Sequence, residues 1–113
     1  MMGTTFTING RIWLEINGEK VLGHGRVELL ERIHNSGSIR QAAIQMKMSY
    51  KQAWDIINHM NNCFSSAVVI SRRGGKGGGY AIVTENGLDI IREFHRLQEE
   101  LRKFLNVNSV KID

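Results

Sequence analysis

The chain has one cysteine, Cys63, and no apolar run longer than four residues, such as Ala67–Ile70. A lone cysteine closes no internal disulfide, which suits a reducing, cytoplasmic setting. A membrane helix needs roughly 20 apolar residues, so no span is expected. The opening MMGTTFTING holds no apolar h-region, so no secretory signal is read there. Nor is there a catalytic set. No nucleophile stands beside an evident base and no two carboxylates form a tight pair, so enzymatic activity is not expected. His59 and Cys63 stand i, i+4 on one expected helix, but a structural zinc wants about four ligands and no second pair has matching spacing. No metal and no cofactor is therefore expected, and Cys63 beside Phe64 reads as a small buried apolar residue. What the chain does carry is positive charge. Its 113 residues hold 15 Lys and Arg against 11 Asp and Glu, a net charge of +4, with a pI of about 9.6. That is one domain's length, residues 1–113, and its charge is compatible with a polyanionic partner.

The hydrophobic pattern divides the chain into short elements. Ile12, Leu14 and Ile16 alternate with Arg11, Trp13 and Glu15, the period of a half-buried strand. Asn17-Gly18 is a two-residue hairpin signal, because both turn positions need positive φ, and Glu19 to Leu22 returns. Asn9-Gly10 is read as a bend in one long strand. Val27, Leu29, Leu30 and Ile33 predict a helix that Gly37 stops in a left-handed C′ position. Ser38 can cap a short helix whose face is Ile39, Ala42, Ala43 and Met46, and Lys47-Met48 breaks it. Ser49 with Gln52 makes a capping box for a third helix, with Ala53, Ile57, Met60 and Phe64 as its stripe. Two short helices across a tight turn, the second opening with polar side chains, form a helix-turn-helix over 38–63.

After it, AVVISRR and YAIVT read as strands, and between them lies GGKGGG. A phosphate loop of the form G-x-x-x-x-G-K-[ST] needs a hydroxyl after the lysine, and Lys76 is followed by Gly77. RNA-binding glycine-arginine tracts are repeated, and this one is single and flanked by strands. A plain surface turn stays open beside the preferred reading, in which the loop is the tip of a β-hairpin, 67–84, following a helix-turn-helix: the plan of a winged helix. Glycine there lets backbone N–H groups approach a phosphate, and Arg72, Arg73 and Lys76 supply charge. The long helix 86–105 carries Ile90, Phe94, Leu97, Leu101 and Phe104 at alternating spacings of four and three, a coiled-coil seam, with Leu88, Ile91 and Leu105 as a second stripe. The tail NVNSVKID is read as frayed.

GSIRQAA, MSYKQAWDIINHMNN and SRRGGKGGGYAIVTENG together resemble the N-terminal DNA-binding domain of the molybdate-responsive ModE regulators, over roughly Leu22 to Leu105. The helix-turn-helix is also similar to that of LysR-type regulators. The resemblance implies a winged-helix transcription regulator that dimerises on a palindromic operator. The chain ends where that family's molybdate-binding domains would begin, so no molybdate site is expected in it.

The fold class expected is α+β: a winged helix-turn-helix with an N-terminal β-hairpin and a C-terminal dimerisation helix. The function expected is sequence-specific binding of double-stranded DNA at a pseudo-palindromic operator by a cytoplasmic homodimer. Ser49, Tyr50, Lys51, Gln52 and Asp55 are the expected base-reading side chains. Lys51 can donate to guanine and Gln52 can pair with adenine where capping leaves it free. Arg40, Arg72, Arg73, Lys76 and the backbone of Gly77 are the expected phosphate contacts. Ile90, Phe94, Leu97, Leu101 and Phe104 are the expected dimer interface. Two other readings of the same residues are a winged-helix protein-interaction module and an oxyanion-binding or transport-related protein.

Overall fold

The computed structural model describes residues 3–72, 79–108 and 110–112. Among these the chain is α+β, with four helices and three two-stranded antiparallel sheets. The order is β1 (Thr4–Phe6), β2 (Leu14–Ile16), β3 (Glu19–Leu22), α1 (His24–Ser36), α2 (Ile39–Gln45), α3 (Tyr50–Cys63), β4 (Val69–Arg72), β5 (Tyr80–Val83), α4 (Glu85–Val107) and β6 (Val110–Ile112).

The local signals place most element ends. Asn17 at φ 52° and Gly18 at φ 82° turn β2 into β3, with Ile16 opposite Glu19. Gly37 ends α1 at φ 70°, its N–H bonded to Ile33 O at 2.7 Å. The α2–α3 turn closes as a Schellman motif: Met48 N–H reaches Ala43 O at 3.0 Å and Lys47 N–H reaches Ile44 O at 3.1 Å. The left-handed residue that motif requires is Lys47, at φ 57°, where glycine is the usual choice.

The core is built by α1, α2, α3, the β4–β5 hairpin and the first half of α4. Leu22, Leu29, Leu30, Ile33, Ala42, Ala53, Met60, Val68 and Phe94 are each fully buried in it. Complete burial of one such large side chain contributes about 1.5–3 kcal/mol. Ala42 and Ala43, with no side chain beyond Cβ, let α1 and α3 close on α2. Along β5 only Ala81 and Val83 face this core, and Tyr80 and Ile82 point outward.

Two expectations are corrected. The tail is not frayed: Val110–Ile112 pairs with Thr4–Phe6, Thr4 opposite Ile112 and Phe6 opposite Val110. This pairing joins the two ends of the chain, and no nearby turn signals it. For the same reason β1 does not run on into β2 through a bend at Asn9-Gly10, because its partner is β6, and residues 7–13 are not strand. The β1–β6 ribbon and the distal half of α4 extend away from the core. The molecule measures 71 × 28 × 21 Å and its radius of gyration is 18.2 Å, against about 13 Å for a compact domain of this length.

Where α4 starts, Gly87 lies against β4's lead-in. A Cβ on Gly87 would stand 2.5 Å from Val68 O and 2.7 Å from Val83 Cγ1. Gly87→Ala is expected to cost about 1–3 kcal/mol by overpacking, whereas Lys47→Gly is expected to gain about 0.5–1 kcal/mol by relieving the left-handed turn. Urea unfolding midpoints check both signs.

Candidate nucleic-acid interface

Three short elements converge on one face. The start of α2 brings Ser38, Arg40 and Gln41, the first turns of α3 bring Tyr50 and Trp54, and the facing ends of β4 and β5 bring Arg72 and Tyr80. Between them is an open cleft of about 1080 Å3.

Capping fixes both helix starts. The Ser38 hydroxyl accepts the N–H of Gln41 at 3.0 Å, and the Ser49 hydroxyl accepts the N–H of Gln52 at 3.0 Å. With neither helix carrying an acidic residue in its first turn, both N-termini keep their positive dipole end toward this face. Tyr50 is about half exposed and meets Trp54 edge to face, with ring centroids 6.4 Å apart at 88°. The half-buried Trp54 thus holds the Tyr50 ring at the rim rather than reaching out itself. Arg72 and Tyr80 are a cross-strand pair. Lys51 lies just outside the cleft and is fully solvated. Its ammonium bonds the Asp55 carboxylate one turn along, at 2.8 Å. That hydrogen bond, and then the carboxylate's charge, hold Lys51 above the usual lysine range.

The expected site residues divide accordingly. Arg40, Tyr50 and Arg72 come together at the cleft, while Lys51, Gln52 and Asp55 form the exposed flank of α3 beside it. Ser49 spends its oxygen on the cap. Arg73, Lys76 and Gly77 lie outside the described residues. Tyr80 was missed, although the alternation in Tyr-Ala-Ile-Val was the available signal: with Ala81 and Val83 inward, Tyr80 must face out. On α4, Phe94 is consumed by its own chain's core at 0% exposure, which removes it from any surface seam. Ile90, Leu97 and Leu101 are half-buried and Phe104 is 57% exposed.

A second cluster anchors α3 from behind. Arg26 on α1 donates to Val21 O at 2.9 Å and meets His59 Nδ1 at 2.8 Å. Arginine only donates, so Nδ1 accepts and the proton sits on Nε2, which donates to Glu19 at 2.6 Å. Cys63 is half-buried, not buried as expected, and its Sγ lies 3.7 Å from His59 Nε2. Among the described residues no three His, Cys, Asp or Glu side chains form a metal-binding group, and no helix is long and apolar enough to cross a membrane.

Comparison with known proteins gives a consistent answer. The molybdenum-pterin-binding protein MopA of Rhodobacter capsulatus is 40% identical over 94 residues, 83% of this chain and 36% of MopA. The DNA-binding transcriptional dual regulator ModE of Escherichia coli K12 is 42% identical over 84 residues, 74% of this chain and 32% of that protein. The chain is ModE-like. The molybdenum transport protein ModE of Azotobacter vinelandii aligns further still, at 34% identity over 103 residues, 91% of this chain and 38% of its own length. The ModE-like chain therefore spans about a third of the length of the curated relatives it matches. No family model matches it.

The caps predict a simple result. Ser49→Ala and Ser38→Ala are each expected to lower stability by about 1 kcal/mol, read from denaturant midpoints.

Proposed function

We propose that this ModE-like chain is a winged-helix domain that binds double-stranded DNA and serves transcription regulation. In this reading α2, the Lys47 turn and α3 are the helix-turn-helix and the β4–β5 hairpin is the wing. The observation that carries it is the convergence of Arg40, Arg72 and the exposed start of α3, with Tyr50, on one open face. Phosphate contacts from Arg40, Arg72, Arg73, Lys76 and the Gly77 backbone set affinity and register, and the α3 flank meets base edges in the major groove. Tyr50 brings a ring and a hydroxyl. Lys51 can leave Asp55 for guanine O6 and N7, and Asp55 can then accept from a cytosine amino group. The salt bridge is the resting state of a reader that sheds its counter-charge on the right base.

Affinity is expected to fall steeply with salt. With about six phosphates neutralised per two-fold assembly, log K falls against log[salt] with a slope near −5. Arg72→Ala should weaken all duplexes about equally, whereas Lys51→Ala should cost roughly 1–3 kcal/mol on the preferred site and blur base preference there. Fluorescence anisotropy on a selected site and a scrambled duplex reads both. A flat salt response, or no binding at low salt, overturns the proposal. Equilibrium dialysis against molybdate, run beside it, tests the oxyanion-binding alternative that the MopA relationship favours.

The second part of the proposal is a two-fold assembly through α4. Ile90, Leu97, Leu101 and Phe104 supply the seam, and Phe104 has more than half its surface in water. Such a pair would favour pseudo-palindromic sites with half-site centres a whole number of turns apart, about 10 base pairs each. Because Phe104 lies outside the core, Phe104→Arg should leave the fold intact and give a monomer in sedimentation. A wild-type monomer at micromolar concentration overturns the assembly.

A further inference from the structure

The residue that joins the reading helix to the hairpin is Asn61. It stands in the last turn of α3, half-buried, with its amide turned onto the strand that begins the hairpin. Its Oδ1 accepts from Val68 N–H at 2.8 Å and from Val69 N–H at 3.2 Å, and its Nδ2 donates to Val69 O at 3.0 Å. One side chain thereby answers three backbone groups of Val68 and Val69. Val68 and Val69 are both buried, so water is not at hand to replace it, and three unmet groups there would be costly. The exposed neighbour Asn62 has no part in this network.

The geometry has a consequence for binding. The α3 flank and the basic hairpin lie on separate elements, and each alone is a weak, solvated contact. Held rigidly at one angle they engage a duplex together, and the second contact forms at high effective concentration. Loosened, the hairpin must be ordered on the DNA at the cost of its freedom. We propose that Asn61 is a positioning residue for DNA binding: it touches no DNA, and it fixes the hairpin against α3 so that Arg72 reaches the backbone while α3 sits in the groove. This rests on the DNA-binding reading above and adds to it the residue that makes two contacts act as one.

The test compares wild type, Asn61→Ala, Asn61→Asp and Asn62→Ala on the same selected duplex across a salt series. Denaturant unfolding first fixes conditions in which each is fully folded. A purely structural role would lower the unfolding midpoint and leave the affinity and salt slope of the folded protein unchanged. The positioning role predicts that folded Asn61→Ala binds about tenfold more weakly, as coupled contacts become independent, and that its salt slope shrinks by roughly two as hairpin phosphate contacts drop out. Asn61→Asp keeps one oxygen to accept from Val68 and Val69 N–H but sets its second, charged oxygen against Val69 O, so its unfolding midpoint should drop and its folded form should fall between. Asn62→Ala should match wild type. If Asn61→Ala does not fold, Asn61→Asp decides by the same slope. A wild type that binds, with folded Asn61 variants that match it in slope and affinity, overturns this inference alone. A wild type that binds no duplex overturns the DNA-binding reading and this inference with it.

Discussion

The segment from Ser66 to Val69 leaves α3 and enters β4, and its backbone is held from two sides. Asn86 Nδ2 donates to Ser66 O at 2.9 Å, Thr84 Oγ1 donates to Ala67 O at 2.6 Å, and Thr84 N–H donates to Val68 O at 3.0 Å. From α3, Asn61 answers the N–H groups of Val68 and Val69 and the carbonyl of Val69. Thr84 also caps α4 through Gly87 N–H at 3.1 Å, so the residue that starts the long helix is also a residue that ties down the hairpin. Gly87 belongs to the same constraint, since only a residue without Cβ lets the first turn of α4 lie this close to Val68 O. Three elements, α3, β4 and α4, take their mutual positions from this one short stretch. The Ala81 N–H bond to Gly37 O at 2.8 Å adds α1 to the set.

That junction was only partly legible in the sequence. Elements with a local cause could be read: the Asn17-Gly18 turn, Gly37 at the end of α1, both serine caps, and the apolar stripes of α1, α2 and α3. The bond from Thr84 to Ala67 O spans 17 residues and has no local signature. Asn61 carries no signal in the local sequence. Its role appears only when Val68 and Val69 fold back against it. The pairing of β1 with β6 failed for the same reason, because its two strands stand at opposite ends of the chain and each is three residues long. Phe94 shows the limit of spacing on α4. The four-three alternation assigned it to a seam with Leu97 and Leu101, but α1 and β5 pack on that half of the helix and absorb it. A period tells which residues share a face, and only the fold tells what covers each part of that face.

At the candidate interface, arginines and aromatics were legible as types and the meeting of their elements was not. Arg40 and Arg72 are 32 positions apart, and nothing local joins them. They meet because the Schellman turn at Lys47 folds α3 back across α2, and because the junction above returns β4 toward the start of α2. The hairpin sorts its residues by alternation: Val69, Ala81 and Val83 enter the core, while Ile70, Arg72, Tyr80 and Ile82 face out. The same packing that stabilises the hairpin therefore presents Arg72 and Tyr80 as a cross-strand pair. Stability and the presentation of the site are here the same contacts.

The elongated shape follows the same logic in reverse. Beyond Phe94 none of the described residues of α4 is fully buried, and the ribbon at its end is only two strands wide. Opposite residues in an antiparallel pair share a face, so Phe6 and Val110 lie together, with Thr4 and Ile112 beside them, and Thr5 and Lys111 lie on the other side. One face of the ribbon is thus largely apolar and the other polar. Phe6, Val110 and Ile112 are 40–54% exposed, and Phe104 and Val107 on the adjoining helix are 57% and 78% exposed. Isolated two-stranded ribbons are marginal in water, and apolar side chains clustered at one end of a molecule mark a surface that gains by being covered. In the two-fold assembly proposed here the distal helix supplies the seam, and the ribbon's apolar face adds to what a partner can cover. The compact half of the chain then presents the basic face, and the extended half sets how far apart two such faces stand.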